Sequence, residues 1–198
     1  FEYARSDRYW LGHGETLFSP AEAWRFLEEG LLTTSFCAGM SPRAVDLDND
    51  GWIEDVETPL MVASAETMAR SQQERLVRFI ENGGRMLIAP VLPRLDEELR
   101  PCTVLADVLG ARSLRRGTED VIRVRIAGRE DDVVNVLKND VFFSDTPPEG
   151  AEVVGFDDLT DRPIAWEMNP RGGGQAIFLG LSWDHRKNEQ GAALLALM

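Results

Sequence analysis

The sequence predicts an α/β protein, with a mostly parallel sheet, helices on both faces and a small antiparallel β lobe. Three observations carry this reading. Leu60-Met61-Val62-Ala63 and Met86-Leu87-Ile88-Ala89 are short, wholly apolar runs, as strands covered on both faces must be. A helical stripe ending in Asn82-Gly83-Gly84 lies between them and supplies the crossover that two parallel strands need. From about Val121 the pattern turns to period-2 alternation broken by turns, the mark of antiparallel strands.

Taken in order, Phe1-Glu2-Tyr3-Ala4 reads as the end of a strand, and residues 10–14, including Trp10 and His13, as a loop. Ser19-Pro20-Ala21-Glu22 is a capping box with Pro at the first helical position. The helix it opens carries Ala23, Trp24, Phe26, Leu27 and Leu31 as apolar positions, with Gly30 near its end. Residues 33–38 (TTSFCA) have the composition of a strand. In the central unit Ser71 and Glu74 form a second capping box. Leu76, Val77, Phe79 and Ile80 make the inner stripe, and Gln72, Gln73, Arg75, Arg78 and Glu81 face outward. Residues 91–98 then form a loop at the carboxyl end of a strand, where open parallel sheets place ligands. Residues 103–109 read as a short helix stopped by Gly110. Strands follow at residues 121–126, 133–137, 141–143, 153–156, 164–168 and 175–181, and residues 188–198 begin a closing helix.

The chain has 198 residues and a formal net charge of -13, with 34 acidic residues against 21 basic ones. It lacks the basic footprint that nucleic acid or an anionic membrane surface would need. No apolar run approaches the roughly 20 residues of a membrane span, and no signal peptide is visible. The chain starts at Phe1 and stops inside an apolar helix pattern, so it reads as a piece of a longer polypeptide. That leaves the compartment unknown, with the cytoplasm slightly favoured. The two cysteines, Cys37 and Cys102, make no disulfide framework.

Candidate chemistry is sparse. Residues 46–57 (DLDNDGWIEDVE) fit the calcium-loop pattern D-x-[DN]-x-[DN]-G-x5-E. Asp46, Asp48 and Asp50 would offer carboxylates, Trp52 its carbonyl and Glu57 a bidentate carboxylate. Ser41-Pro42 precedes this loop and an apolar strand follows it, whereas an EF-hand has helices on both sides. With that context unmatched, the plainer reading of the same residues is a solvated acidic loop in an acidic protein. Asp96, Trp183 and His185 lie in strand-end loops and are the ligand-facing candidates, with Glu97 and Glu98 beside Asp96. An amidotransferase or an α/β-hydrolase needs a nucleophile elbow after a core strand, but this chain continues Pro90-Val91-Leu92-Pro93.

The run from Pro59 to Ala111 carries a family resemblance. Its hallmarks are a helix ending in N-G-G, an apolar strand, P-x-x-P-x-x-D-E-E from Pro90 to Glu98, and P-C-T-x-L-x-D-x-L-G from Pro101 to Gly110. In that order they resemble the class I glutamine amidotransferase-like domain that follows the catalytic barrel in bacterial β-galactosidases of glycoside hydrolase families 35 and 42. Gly172 to Trp183 looks like its last strand. The resemblance implies a flavodoxin-like fold and a domain that has lost the nucleophile, in a protein acting on galactosides. Catalytic glutamates would lie on a barrel outside this chain, and partners would be that barrel and further copies, as in a trimer.

The sequence therefore predicts one amidotransferase-like domain over 1–198, its α/β part at about 1–115 and 172–198 and its β lobe at about 118–170. Its role would be accessory or oligomerising, without catalytic residues or cofactor. Two alternatives stay open. One is a carbohydrate- or calcium-binding module exposing Trp10, Trp52 or Trp183. The other is a hydrolase or amidotransferase using Cys37 or Cys102 with His185.

Overall fold

The computed structural model describes residues 19–110, 115–127, 129–143, 146, 148–170 and 173–183. The expectations for Phe1-Glu2-Tyr3-Ala4, Trp10, His13, His185 and the closing helix lie outside these residues.

The first helix is built as α1 (Pro20–Arg25), a π-helical segment (Phe26–Leu32) and α2 (Thr33–Cys37), with right-handed helical backbone at both junctions. The Ser19 capping box is complete: the Glu22 amide donates to Ser19 Oγ at 3.2 Å and the Ser19 amide to Glu22 Oε2 at 2.7 Å. The expected stop at Gly30 and the expected strand at 33–38 are both corrected. Gly30 is a packing residue, because a Cβ there would lie 2.5 Å from the Phe26 ring and 2.7 Å from the Trp183 carbonyl. The helix runs on to Gly39, whose φ of 79° makes the true C-terminus. There Met40 N–H donates to the Ser35 carbonyl at 2.9 Å and Gly39 N–H to that of Phe36 at 3.0 Å, both bonds of a Schellman turn. The Thr-Thr-Ser run tolerates helix because its hydroxyls are used. Thr33 Oγ1 donates to the Glu28 carbonyl at 2.9 Å and Ser35 Oγ to the Leu31 carbonyl at 2.7 Å.

β1 (Leu60–Ala63), α3 (Arg70–Glu81) and β2 (Arg85–Ala89) form the expected βαβ unit, with Leu60 opposite Met86 in parallel register. Leu76, Phe79 and Ile80 are buried on the inner face of α3, and its end is a second Schellman turn with Gly83 at φ 100°. Two details differ from the sequence reading. The N-cap is Ala69 and not Ser71. Gln73 faces inward, where its Nε2 donates to the Met68 carbonyl at 3.0 Å and its Oε1 accepts from the Leu105 amide at 3.4 Å. A buried amide with both ends satisfied can replace an apolar side chain. The short α4 (Val104–Val108) then leads to Gly110, at φ 72°.

The remaining strands are β3 (Arg115–Ile126), β4 (Arg129–Phe143), β5 (Glu152–Asp157), β6 (Pro163–Met168) and β7 (Gln175–Leu179). Among the described residues all seven strands form one sheet in the order β1-β2-β7-β6-β5-β3-β4. Only β1–β2 and β2–β7 pair parallel, and the other neighbours are antiparallel. The expected mostly parallel sheet is therefore a mixed, mostly antiparallel one. The antiparallel strands continue that sheet because β7 pairs with β2 along one edge and with β6 along the other.

Helices cover both faces, as expected. Along β2, Leu87 and Ala89 join the core beneath the first helix with Phe26, Leu31, Leu181 and Trp183. Met86 and Ile88 join the opposite core with Leu76, Phe79, Ile80 and Leu105. Trp166 and Phe178 pack across the β6–β7 junction with ring centroids 4.4 Å apart, and the Trp166 indole donates to the Leu109 carbonyl at 3.3 Å.

Candidate functional site

The carboxyl ends of β1, β2 and β7 are where a fold of this kind places a ligand or a nucleophile. β1 leads into Ser64, Ala65 and Glu66, all buried. β2 leads through a cis Ala89–Pro90 peptide into Val91, Leu92 and Pro93, buried as well. The two segments stay tied beyond the strands. Ser64 N–H donates to the Ala89 carbonyl at 2.7 Å, and Ser64 Oγ donates to the Val91 carbonyl. Arg94 N–H donates to the Glu66 carbonyl at 2.9 Å and Met68 N–H to that of Leu95 at 3.0 Å. Thr67 pairs Leu95 in a parallel bridge. Backbone hydrogen bonds and apolar side chains thus occupy this end of the sheet.

The polar groups here hold the loop in shape. Glu66, 3% exposed, forms an ion pair with Arg94, which reaches it from the surface. The spacing gave no signal for this pair, because 28 residues separate its members. Asp96, a sequence-predicted ligand-facing residue, is 7% exposed and turned into its own loop. Its Oδ1 accepts from the amides of Glu98 and Arg100, each at 2.9 Å. Glu97 reaches back to α3, its Oε2 accepting from the Arg70 amide at 3.0 Å. Cys102 is buried and its amide donates to the Arg94 carbonyl at 2.8 Å, whereas Cys37 is exposed on α2; both thiols are free.

Trp183, at the end of β7, is 4% exposed, which corrects its reading as a groove-facing aromatic. Its indole donates to Thr34 Oγ1 at 2.8 Å, and its ring meets Phe26 edge-on at 4.8 Å. Trp52 is buried too, against Phe79 at 5.6 Å.

The 46–57 loop lies along α3, with Trp52 against Phe79 of its buried face and Asp48 and Asp50 reaching Gln72 and Arg75 on its outer one. Asp46 Oδ1 accepts from its neighbour Asp48's amide at 3.0 Å, and the Asp46 carbonyl accepts from Trp52 Nε1 at 3.0 Å. Asp48 Oδ1 accepts from Gln72 Nε2 at 2.9 Å, and Asp50 Oδ1 from Arg75 Nε at 2.5 Å. The hydrogen bond from Arg75 holds the Asp50 carboxyl below its ordinary range; desolvation opposes it, and the nearby charges of Arg75 and Arg78 add to the lowering. Glu57 is exposed, its carbonyl accepting from Arg85 at 3.4 Å. Among the described residues no three His, Cys, Asp or Glu side chains gather as a metal cluster. A calcium ion in this loop would have to displace Gln72 from Asp48 and Arg75 from Asp50. No described helix is long and apolar enough to cross a membrane.

Known proteins are similar to this chain in sequence or in fold. An exo-β-D-glucosaminidase from Pyrococcus horikoshii is 36% identical over 78% of this chain, which covers 20% of that protein. A β-1,2-glucosyltransferase from Ignavibacterium album is 26% identical over 83% of the chain and 23% of its own length. The solved β-galactosidase of Rahnella sp. R3 matches with a TM-score of 0.62 at 18% identity, over 83% of this chain and 25% of that one. The chain thus spans about a fifth of the length of its curated relatives. Residues 19–146 match the family described as GLMA-like, second domain, so more than half of the sequence carries the family pattern and the chain belongs to that family.

Proposed function

We propose that this chain is a non-catalytic accessory domain of a larger glycoside hydrolase, derived from a flavodoxin-like, class I glutamine amidotransferase-like fold and used for assembly of the enzyme. One observation carries the reading. The position after β2, where a catalytic relative would present its nucleophile, is buried Pro90-Val91-Leu92-Pro93 bonded to the segment after β1. The relatives support the same view, since similar chains occur in proteins named for a hydrolysis and for a sugar transfer. A domain shared between two reactions is better suited to support than to chemistry. The substrate is a β-linked hexoside held by the remainder of the polypeptide. Galactosides follow from the family 35 and 42 resemblance, and glucosaminides from the name of the 36% identical relative. Oligomerisation, including a trimer, belongs to the same proposal.

The test is hydrolysis of aryl β-D-galactoside and β-D-glucosaminide by the full-length protein, by this chain alone and by full-length Cys37→Ala and Cys102→Ala variants. The full-length protein and both variants should be active and the chain alone inactive. Turnover by the isolated chain, or loss of turnover in a correctly folded cysteine variant, would overturn the reading in favour of a thiol enzyme.

A further inference from the structure

The inner side of the first helix is fully used: Phe26 and Leu31 enter the core, and Thr34 and Ser35 are buried with their hydroxyls bonded. Its outer end is different. Leu32 is 37% exposed, Phe36 59% and Met40 39%, and they include most of the large apolar side chains exposed among the described residues. Leu32 and Phe36 are four residues apart and share a helix face. Met40 follows at once, brought back by the Schellman turn at Gly39. Leu32 and Phe36 present adjoining exposed apolar side chains on the helix, with Met40 at its end.

We propose that Leu32, Phe36 and Met40 form the seat for the domain that precedes this one in the same polypeptide. The inference rests on the reading of the chain as an accessory domain of a larger protein. Two arguments select the occupant. The family is described as a second domain, and the chain covers only 20% of a 36% identical relative, so members carry a preceding domain in the same molecule. Size gives the second argument. Three partly exposed side chains offer at most a few hundred Å². A specific dimer buries roughly 800 Å² per partner. A small patch does not hold a free second copy, but it suffices for a covalently linked domain, whose effective concentration is about millimolar. The chemistry that fits is an apolar pocket wide enough for one aromatic ring.

Cys37, exposed and adjacent to Phe36, reports on this face, and buried Cys102 is the internal control. In the full-length protein, alkylation of Cys37 and peroxide oxidation of Met40 are followed by peptide mass spectrometry, for the wild type and for Phe36→Glu and Phe36→Leu. Thermal unfolding checks that each variant is folded, and light scattering gives the mass. Docking predicts slow modification in the wild type and in Phe36→Leu, independent of protein concentration. Phe36→Glu should modify about tenfold faster at unchanged mass and unchanged Cys102 protection, a ratio equivalent to roughly 1.4 kcal/mol. Fast modification in the wild type would overturn the proposal. So would protection that disappears on dilution, or a lower mass in Phe36→Glu, because each assigns the patch to a second copy. Hydrolysis of β-glycosides by the same samples reports separately on the accessory-domain reading, which stands or falls without this contact.

Discussion

The indole Nε1 of Trp183 donates a 2.8 Å hydrogen bond to the hydroxyl of Thr34, across 149 residues of sequence. Both residues are buried, at 4% and 0% exposed, so neither partner has water as a substitute. Thr34→Val preserves shape and removes the acceptor, leaving the indole N–H unsatisfied. It should cost about 1–3 kcal/mol of stability, whereas Thr34→Ser should cost less than about 1 kcal/mol. Urea unfolding followed by tryptophan fluorescence measures both. Equal effects of the two variants would mean that volume, and not the hydrogen bond, matters at this contact.

Glu97 takes the capping role that the sequence assigns to Ser71. Its carboxylate accepts from the Arg70 amide at 3.0 Å, where the dipole of α3 favours negative charge. The pair is exposed, so its contribution is modest and sensitive to salt. Glu97→Gln should lower stability by about 0.5–1 kcal/mol at low ionic strength and by less in molar salt. Ser71→Ala should be near neutral. Thermal melts at two salt concentrations test both expectations. A larger loss in Ser71→Ala than in Glu97→Gln would restore the local cap.

These two contacts show what was legible in the sequence and what was not. Periodicity and glycine placement located β1, α3, β2, α4 and the strands of the antiparallel half, because those signals lie within a few residues of one another. The calcium-like loop, Asp96 and Trp183 were visible as residue types, but what each side chain touches is set by segments distant in sequence. Asp50 meets Arg75, 25 residues away, and Trp183 meets the first helix. The sheet failed in the same manner. The strands were recognisable only in part, since residues 133–137 and 141–143, read as two strands, belong to the one long β4 and β3 starts before residue 121; the pairing of β7 between β2 and β6, which makes one mixed sheet of two halves, has no local signature. Gly30 was misread because glycine has two uses, a left-handed turn or a close approach, and only the packed structure separates them.

The Asp50–Arg75 contact gives stability a pH dependence with a definite sign. The folded carboxyl has the lower pKa, mainly through its hydrogen bond from Arg75. The unfolded chain therefore binds its proton first as pH falls. The contribution is complete above the unfolded carboxylate value of about 3.9 and is lost as pH falls through the lower folded value. Asp50→Asn should flatten the decline of melting temperature between about pH 4 and the acid limit, while leaving the neutral plateau little changed for so exposed a pair. Added calcium or a chelator at pH 7 tests the rival use of the same carboxylate. A calcium-dependent rise in melting temperature that Asp50→Asn abolishes would show that the ion displaces Arg75.

Gly174 and Gly83 separate the two uses of glycine by experiment. A Cβ on Gly174 would stand 1.9 Å from the Ile80 carbonyl oxygen and 2.8 Å from that of Gly84, both rigid backbone at the end of α3. The Gln175 amide donates to the same Gly84 carbonyl at 3.1 Å, so a shift that relieves the clash also pulls β7 away from the α3–β2 turn. Gly83 has open space around it, and its constraint is the φ of 100°. Gly174→Ala should cost about 3 kcal/mol or more, the upper end for forced overpacking. Gly83→Ala should cost about 1–2 kcal/mol through backbone strain alone. Amide hydrogen exchange resolves the mechanism: Gly174→Ala should raise exchange at Gln175 and along β7, and Gly83→Ala only in the last turn of α3. An unperturbed β7 in Gly174→Ala would show that the strand does not depend on this close approach.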